Sequence, residues 1–189
     1  GKGMVVVSYD LPMHHLRRGD PEGGDYDYAQ NPGPLFYNFK NPVAARANYY
    51  QGAADVFALT RLVADLYLGY ADRDLEQQFV IDVSKLAYHG HSQGGGQGPL
   101  VGPFESDLKA IVLSGTGGGT VEGLLRKTQP YDASIGVRIM LQELEASAAH
   151  PALQLLQQYY DPIDPAIYGP LFADAETHLL HVVGATDNY

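Results

Sequence analysis

The sequence predicts an α/β protein with a mostly parallel sheet and flanking helices. Apolar runs of strand length recur along the 189 residues, a long helical segment lies between the first two runs, and glycine-rich turns follow the second and third. Hydrophobic residues make up 45% of the chain, which suits the core of one domain better than two. We therefore expect residues 1–189 to form a single, partial domain.

The first half of the chain predicts one strand, a long loop and one helix. Residues 4–9 are an apolar, β-branched run that fits a strand buried on both faces. Residues 11–40 are rich in Pro, Gly, Asp, Tyr and Asn and predict a loop. Asn41 and Pro42 then begin a helix as N-cap and first helical residue, and Gly69 ends it.

The second half predicts three more strands, at residues 86–89, 109–114 and 178–183. Residues 120–177, between the last two, are mostly helical and interrupted by prolines. We expect this insertion to be a helical cap whose inner face binds an acyl chain; a packed extension of the core is the alternative. The apolar residues of this predicted face are Leu124, Leu125, Ile139, Met140, Leu155, Leu156, Tyr159 and Tyr160.

Composition excludes several classes of partner. The formal net charge is −10, with 12 Lys and Arg against 22 Asp and Glu, whereas nucleic-acid binding needs clustered cations. No apolar run approaches the roughly 18 residues of a transmembrane helix. The absence of cysteine excludes a disulfide framework and a thiolate metal site.

Residues 90–94, Gly-His-Ser-Gln-Gly, match the G-x-S-x-G pattern of a nucleophile elbow. Such a turn joins a strand to a helix and raises the serine above the sheet. The pattern is weak alone, because a serine in a glycine-rich loop matches it too, but here a predicted strand precedes it. Ser92 is therefore the candidate nucleophile, and we expect side chains at Gly90 and Gly94 to collide with neighbouring backbone.

The chain resembles the α/β-hydrolases, and among them bacterial secreted or cell-envelope esterases and lipase-like enzymes. The resemblance implies an incomplete hydrolase fold containing the fourth to seventh strands, and an extracellular or cell-envelope location. One departure is His15, which stands where a glycine would follow His14. The segments that carry the resemblance are GHSQGG (90–95), VVVSYDLPMHHLRR (5–18), YNFKNPVAARANYYQGAADVFAL (37–59), KAIVLSGTGGG (109–119) and HVVGATDNY (181–189).

The resemblance implies roles for three residues. Ser92 is the nucleophile, Asp187 the acid after the seventh strand, and the backbone N–H of Gln93 an oxyanion donor. Asp187 before Asn188 also fits an ordinary turn. No histidine follows Asp187. We therefore expect the catalytic histidine and the second oxyanion donor to lie outside residues 1–189, and this chain to be inactive alone.

Three other histidines are poor substitutes for that base. His91 adjoins Ser92 in the turn, and His178 and His181 lie in or before the last predicted strand. The resemblance also places the third strand before residue 1 and between the fourth and fifth strands in space. Without it, two outcomes are open: residues 4–9 pair directly with residues 86–89, which is the outcome we expect, or they stay loosely attached.

Three polar residues, Asn48, Gln51 and Asp55, share one face of the predicted helix. Two hypotheses fit them equally well: they bind backbone groups of the active-site loops, or they are simply exposed.

The predicted reaction is hydrolysis of a small-molecule or lipid ester through an acyl-enzyme, without a cofactor or metal. A non-catalytic binding domain with a hydrolase-like fold is the main alternative. A nucleotide-binding domain is weaker, because residues 115–120 follow a strand but place Thr120 at the third glycine position.

Overall fold

The computed structural model describes residues 3–18, 32–71, 81–129 and 132–185. The chain divides into two compact units, Gly1–Val83 and Ser84–Tyr189. The described part contains a small three-stranded parallel sheet with flanking helices, so the predicted α/β class is confirmed at that scale.

The first unit is built around two helices, α1 (Gly33–Phe36) and α2 (Pro42–Ala71). The Asn41 side-chain oxygen accepts a hydrogen bond from the Ala44 N–H at 3.2 Å, so the predicted N-cap is confirmed. The described part of the helix extends to Ala71, two residues beyond the predicted glycine.

The polar face of α2 holds the segments that precede the helix. Asn48, 7% exposed, donates its amide to the carbonyl oxygens of residues 35 and 36 at 3.2 and 2.9 Å. Asp55 accepts hydrogen bonds from Gln51 at 2.8 Å and from the Arg17 guanidinium at 2.5 Å. Asn48 thus binds backbone groups, those of residues 35 and 36, whereas Gln51 and Asp55 bind side chains.

We expect Asn48→Ala to lower the free energy of unfolding by about 1–3 kcal/mol, because two carbonyl groups lose their donor in a buried place. Urea denaturation measures the change. Gln51→Ala on the same helix removes an exposed hydrogen bond and serves as the matched control, with an effect within about 0.5 kcal/mol. Equal losses in the two variants would contradict this role of Asn48.

The strand predicted at residues 4–9 is wrong, and so is its pairing with residues 86–89. These residues have no regular secondary structure, and side chains such as Met4 and Val6 are 79% and 88% exposed. A β-branched run becomes a strand only when a neighbouring strand pairs with its backbone N–H and C=O groups. The described residues supply no such strand here. Tyr9 instead donates its hydroxyl to the Gly52 carbonyl oxygen at 3.3 Å.

His15 begins the short 3-10 helix His15–Arg18 with a φ of 43°. That value lies in the left-handed region, where glycine is favoured. Residue 15 therefore has a backbone conformation that favours glycine, although the residue is a histidine.

The second unit contains the sheet. Its strands are β1 (Leu86–His91), β2 (Leu108–Ser114) and β3 (His178–Val182), in the spatial order β1-β2-β3 and all parallel. Each of the three predicted strands is confirmed to within two residues at its ends. Because the strands are parallel, the loops that follow them emerge at one edge of the sheet.

Helix α3 (Gln93–Val101) connects β1 to β2 and lies unusually close to the sheet. A Cβ atom at Gly98 would lie 2.5 Å from Leu113 Cδ2 on β2, and one at Gly102, directly after the helix, would lie still closer to Ile111 Cδ1 on the same strand. Both distances are shorter than van der Waals contact. The glycines on this face therefore set how closely α3 packs on the core of the sheet.

Residues 120–177 contain the helices α4 (Thr120–Arg126), α5 (Ala133–Leu141), α6 (Pro151–Tyr160) and α7 (Pro165–Tyr168). The first three share a small apolar core, which consists of the buried residues Val121, Val137 and Leu153. This segment therefore has packing of its own between β2 and β3.

The apolar residues that we predicted to line a cap have different environments. Leu124, Leu125 and Leu156 pack against the small core of residues 121, 137 and 153. Tyr160 is buried. A further three, Ile139, Met140 and Leu155, are exposed. Tyr159 is half-buried, so the fully exposed part of the predicted face is smaller than the sequence suggests.

Candidate active site

Ser92 lies in the turn between β1 and α3, at the edge where the parallel strands end. Its φ of 51° and ψ of −114° are outside the regions that a serine normally adopts. The backbone N–H of Ser92 donates to the Ser114 carbonyl at 2.9 Å, and its carbonyl accepts from Gly96 at 3.1 Å. Neighbouring strand and helix thus hold a strained residue in place.

Gly90 is required by the close approach of strand and helix. A Cβ atom at Gly90 would lie 2.6 Å from the Gly94 carbonyl carbon and 2.8 Å from the Gly95 nitrogen. The predicted collision is therefore confirmed at Gly90. It is wrong at Gly94, where the nearest atom would be the Tyr88 hydroxyl at an ordinary 3.7 Å.

The second crowded glycine of the turn is Gly95. A Cβ atom there would lie 2.8 Å from Thr116 Cβ, so the threonine side chain packs directly on the backbone of α3. On the opposite side, the Tyr88 hydroxyl donates to the Gly94 carbonyl at 2.6 Å. Contacts from β1 and from the loop that follows β2 thus fix the first turn of the helix.

The Ser92 side chain is half-buried, and its hydroxyl forms no hydrogen bond with any described residue. The next residue, Gln93, is the first residue of α3, and N–H groups in the first turn of a helix have no acceptor within the helix. A hydroxyl and a backbone donor are therefore adjacent at the end of β1. Asp187 lies outside the described residues.

Two of the histidines near this edge have other partners. His91 Nδ1 lies 2.9 Å from Ser114 Oγ, and His181 Nε2 lies 2.7 Å from the Thr116 carbonyl oxygen. Neither of these two contacts involves the Ser92 hydroxyl. Within the described ranges, no histidine is hydrogen-bonded to Ser92.

The loop that follows β2, residues 115–119, is anchored at its beginning by β3. Gly115, with a φ of 55°, donates its N–H to the Val182 carbonyl at 3.2 Å. The contact between His181 and Thr116 adds a second link to the same strand. This loop lies beside the elbow, because Thr116 packs on Gly95.

Asp164 anchors the other end of this loop and is only 1% exposed. Its carboxylate accepts the backbone N–H groups of Gly119 at 2.9 Å and Thr120 at 2.7 Å, and the Thr120 hydroxyl at 3.0 Å. The Gln157 amide and the Ala166 N–H complete the set at 2.9 and 3.0 Å. One buried carboxylate thus joins the beginnings of α4 and α7.

This arrangement disfavours nucleotide binding at the loop. A phosphate would need the N–H groups at the beginning of α4. Those of Gly119 and Thr120 already donate to Asp164, and that of Val121 donates to the Gln157 side-chain oxygen at 2.9 Å. A protein carboxylate therefore occupies the position where a phosphate would bind.

Burial by itself raises the pKa of Asp164, but hydrogen bonds from Gln157 and from the N–H groups of Ala166, Gly119 and Thr120 outweigh it. The pKa of this carboxyl therefore lies below its ordinary value of 3.8. The signal for Asp164 in the sequence is local, since Asp before Pro165 is a helix N-cap signature. Its contacts with α4, up to 45 residues away, have no local signal.

A carboxyl whose pKa falls on folding stabilises the native state above its unfolded pKa, and this contribution is lost as pH falls toward the folded pKa. We expect the unfolding free energy of the wild type to decrease as pH is lowered from about 5. In Asp164→Asn this decrease should be smaller, because residue 164 no longer titrates. Urea denaturation at a series of pH values measures both slopes, and parallel curves would contradict the assignment.

The described part of the chain contains no group of three or more His, Asp or Glu side chains arranged to hold a metal ion. No helix within those ranges is both long and apolar enough to cross a membrane. The chain matches no protein-family model, no curated protein and no solved structure.

Proposed function

We propose that the protein is a serine hydrolase of the α/β-hydrolase type that cleaves carboxylic esters through an acyl-enzyme on Ser92. One observation carries the proposal: Ser92 has a strained backbone, at φ 51°, on the turn between a parallel strand and a helix. Strain of this kind costs about 1–3 kcal/mol and concentrates at functional sites. The strain at Ser92 therefore supports a functional role for this residue.

The mechanism uses the Ser92 hydroxyl and the Gln93 N–H. A base removes the hydroxyl proton while Oγ attacks the ester carbonyl carbon, and the Gln93 N–H donates to the developing oxyanion. The carbon–oxygen bond to the alcohol then breaks, and the base returns its proton to the leaving alkoxide. Water attacks the acyl-serine by the same route and releases the acid. Asp187 is proposed as the acid that orients the base.

The described residues include the proposed nucleophile and one proposed oxyanion donor, but no histidine among them is hydrogen-bonded to Ser92. That observation favours a second candidate function, a non-catalytic binding domain in which Ser92 has no chemical role. The two functions differ in the reactivity of one hydroxyl. A fluorophosphonate probe therefore separates them.

The test treats the 189-residue chain with a fluorophosphonate, with and without added imidazole as an external base, and maps any phosphonylated residue by mass spectrometry. Modification of Ser92, with or without imidazole, supports the serine hydrolase. Modification without imidazole would further show that the chain carries its own base. If Ser92 is unmodified under both conditions, the proposal fails and the binding domain is favoured.

The proposed substrates are small-molecule or lipid esters, and the proposed location is outside the cytoplasm, in the cell envelope or medium. The exposed apolar side chains of the helical insertion, Ile139, Met140 and Leu155, support an apolar acyl group. A series of p-nitrophenyl esters of increasing acyl length, assayed with each of these residues changed to alanine, would show whether they affect chain-length preference.

A further inference from the structure

We propose that Asp164 is a positioning residue for the serine site: by holding the loop of residues 115–120, it keeps Thr116 packed against the elbow that carries Ser92. This inference rests on the proposed function of Ser92 and adds a residue that lies far from it in sequence. Asp164 acts through the loop and has no contact with the reacting atoms.

The Asp164 carboxylate accepts several hydrogen bonds on each of its oxygens. Both oxygens of Asp164 are surrounded by donors: one accepts from Gly119 and Ala166, and the other accepts from Gly119, Thr120 and Gln157. An asparagine here would place its own NH₂ against donors in either orientation of the amide. The carboxylate is therefore difficult to replace, even by its nearest isostere.

The loop of residues 115–120 packs closely against the beginning of α7. A Cβ atom at Gly118 would lie 2.6 Å from the Ala166 nitrogen and 2.8 Å from its Cα. The loop thus touches the beginning of α7 at the point where Ala166 donates to Asp164. If the carboxylate is lost, both this packing and the beginning of α4 lose their common support.

Thr116 connects this loop to the helix that begins directly after Ser92. Thr116 fills the space beside Gly95, one turn into the helix that begins directly after Ser92. Because Gly95 has no side chain, Thr116 contacts the helix backbone without a flexible layer between them. A displacement of the loop therefore reaches the backbone that holds the strained serine and the Gln93 N–H.

The experiment compares Asp164→Asn with Asp132→Asn in the 189-residue chain. Asp132 is the matched control, because its carboxylate caps α5 by accepting the Ser134 N–H at 2.9 Å and is not part of this loop. The rate constants for Ser92 phosphonylation are measured well below the melting temperature of each variant. We expect Asp164→Asn to lower the maximal rate about 10- to 100-fold, with a smaller effect on probe affinity, and Asp132→Asn to leave it unchanged.

Two additions keep the test decisive if Asp164→Asn folds poorly. Thr120→Val removes only the hydroxyl that donates to Asp164, and Thr120→Ser restores it, so the maximal rate should fall and then recover. Hydrogen–deuterium exchange does not depend on reactivity: Asp164→Asn should increase exchange in residues 115–120 and also in residues 93–96.

Unchanged exchange at residues 93–96 in Asp164→Asn, or an unchanged maximal rate in folded Thr120→Val, would overturn the positioning role. A wild-type Ser92 that never reacts, with exchange coupled as expected, would instead refute the proposed function while leaving the structural link intact.

Discussion

Ser92→Ala is expected to abolish phosphonylation and ester hydrolysis, because the only proposed nucleophile is removed, while the free energy of unfolding changes by less than about 0.5 kcal/mol. The small stability effect follows from the structure, since the Ser92 hydroxyl has no hydrogen bond within the described residues and alanine keeps the positive φ. Intact-mass analysis and a p-nitrophenyl ester assay, both with imidazole, measure the loss, and urea denaturation measures the stability.

Ser92→Gly is the informative companion. It is equally inactive, but it relieves the backbone strain, and we expect it to be more stable than Ser92→Ala by about 1 kcal/mol. Ester hydrolysis by either variant above the rate with imidazole alone would exclude Ser92 as the nucleophile. Equal stability of the two variants would show that the serine is not held under strain.

Gly90→Ala is expected to destabilise the protein by about 3 kcal/mol or more, because the new Cβ would collide with the backbone of the first turn of α3. Backbone atoms cannot move aside as a flexible side chain could, so the strand and helix would have to separate. Denaturant unfolding measures the loss.

Gly94→Ala is the control for this prediction, since it is the other glycine of the same motif and its Cβ would find ordinary contacts. Within α3, alanine is a better helix former than glycine, so the change should be neutral or stabilising by up to about 1 kcal/mol. A large loss at Gly94, or none at Gly90, would show that the turn is packed differently.

The features that could be predicted from the sequence are those with a local cause. The three strands of the sheet were predicted from short apolar runs, and the N-cap at Asn41 from the proline that follows it. The need for glycine at residue 90 was predicted from the tight turn. Each depends on residues only a few positions apart. The strand at residues 4–9 failed because its existence depends on a partner elsewhere in the chain.

Two features of the site, the contacts of Asp164 and of Gly95, have no local signal in the sequence. Asp164 looks like an ordinary N-cap in the sequence, and its contacts with Gly119 and Thr120 depend on how the helical insertion returns to the sheet. The glycine that packs on Thr116 is Gly95, one residue beyond the motif, and only the position of the neighbouring loop identifies it. Such long-range contacts leave no periodic pattern in the sequence.

The close packing of α3 on the sheet has a consequence for the order of folding. This helix contains four glycines and Pro99, which cost about 1 kcal/mol per glycine and about 3 kcal/mol for the proline relative to alanine. Alone, such a segment does not form a helix in water. It becomes helical only once Leu113 and its neighbours on the sheet are in place to cover it. Ser92 is therefore expected to take its strained backbone conformation late in folding, after the strands of the sheet have paired.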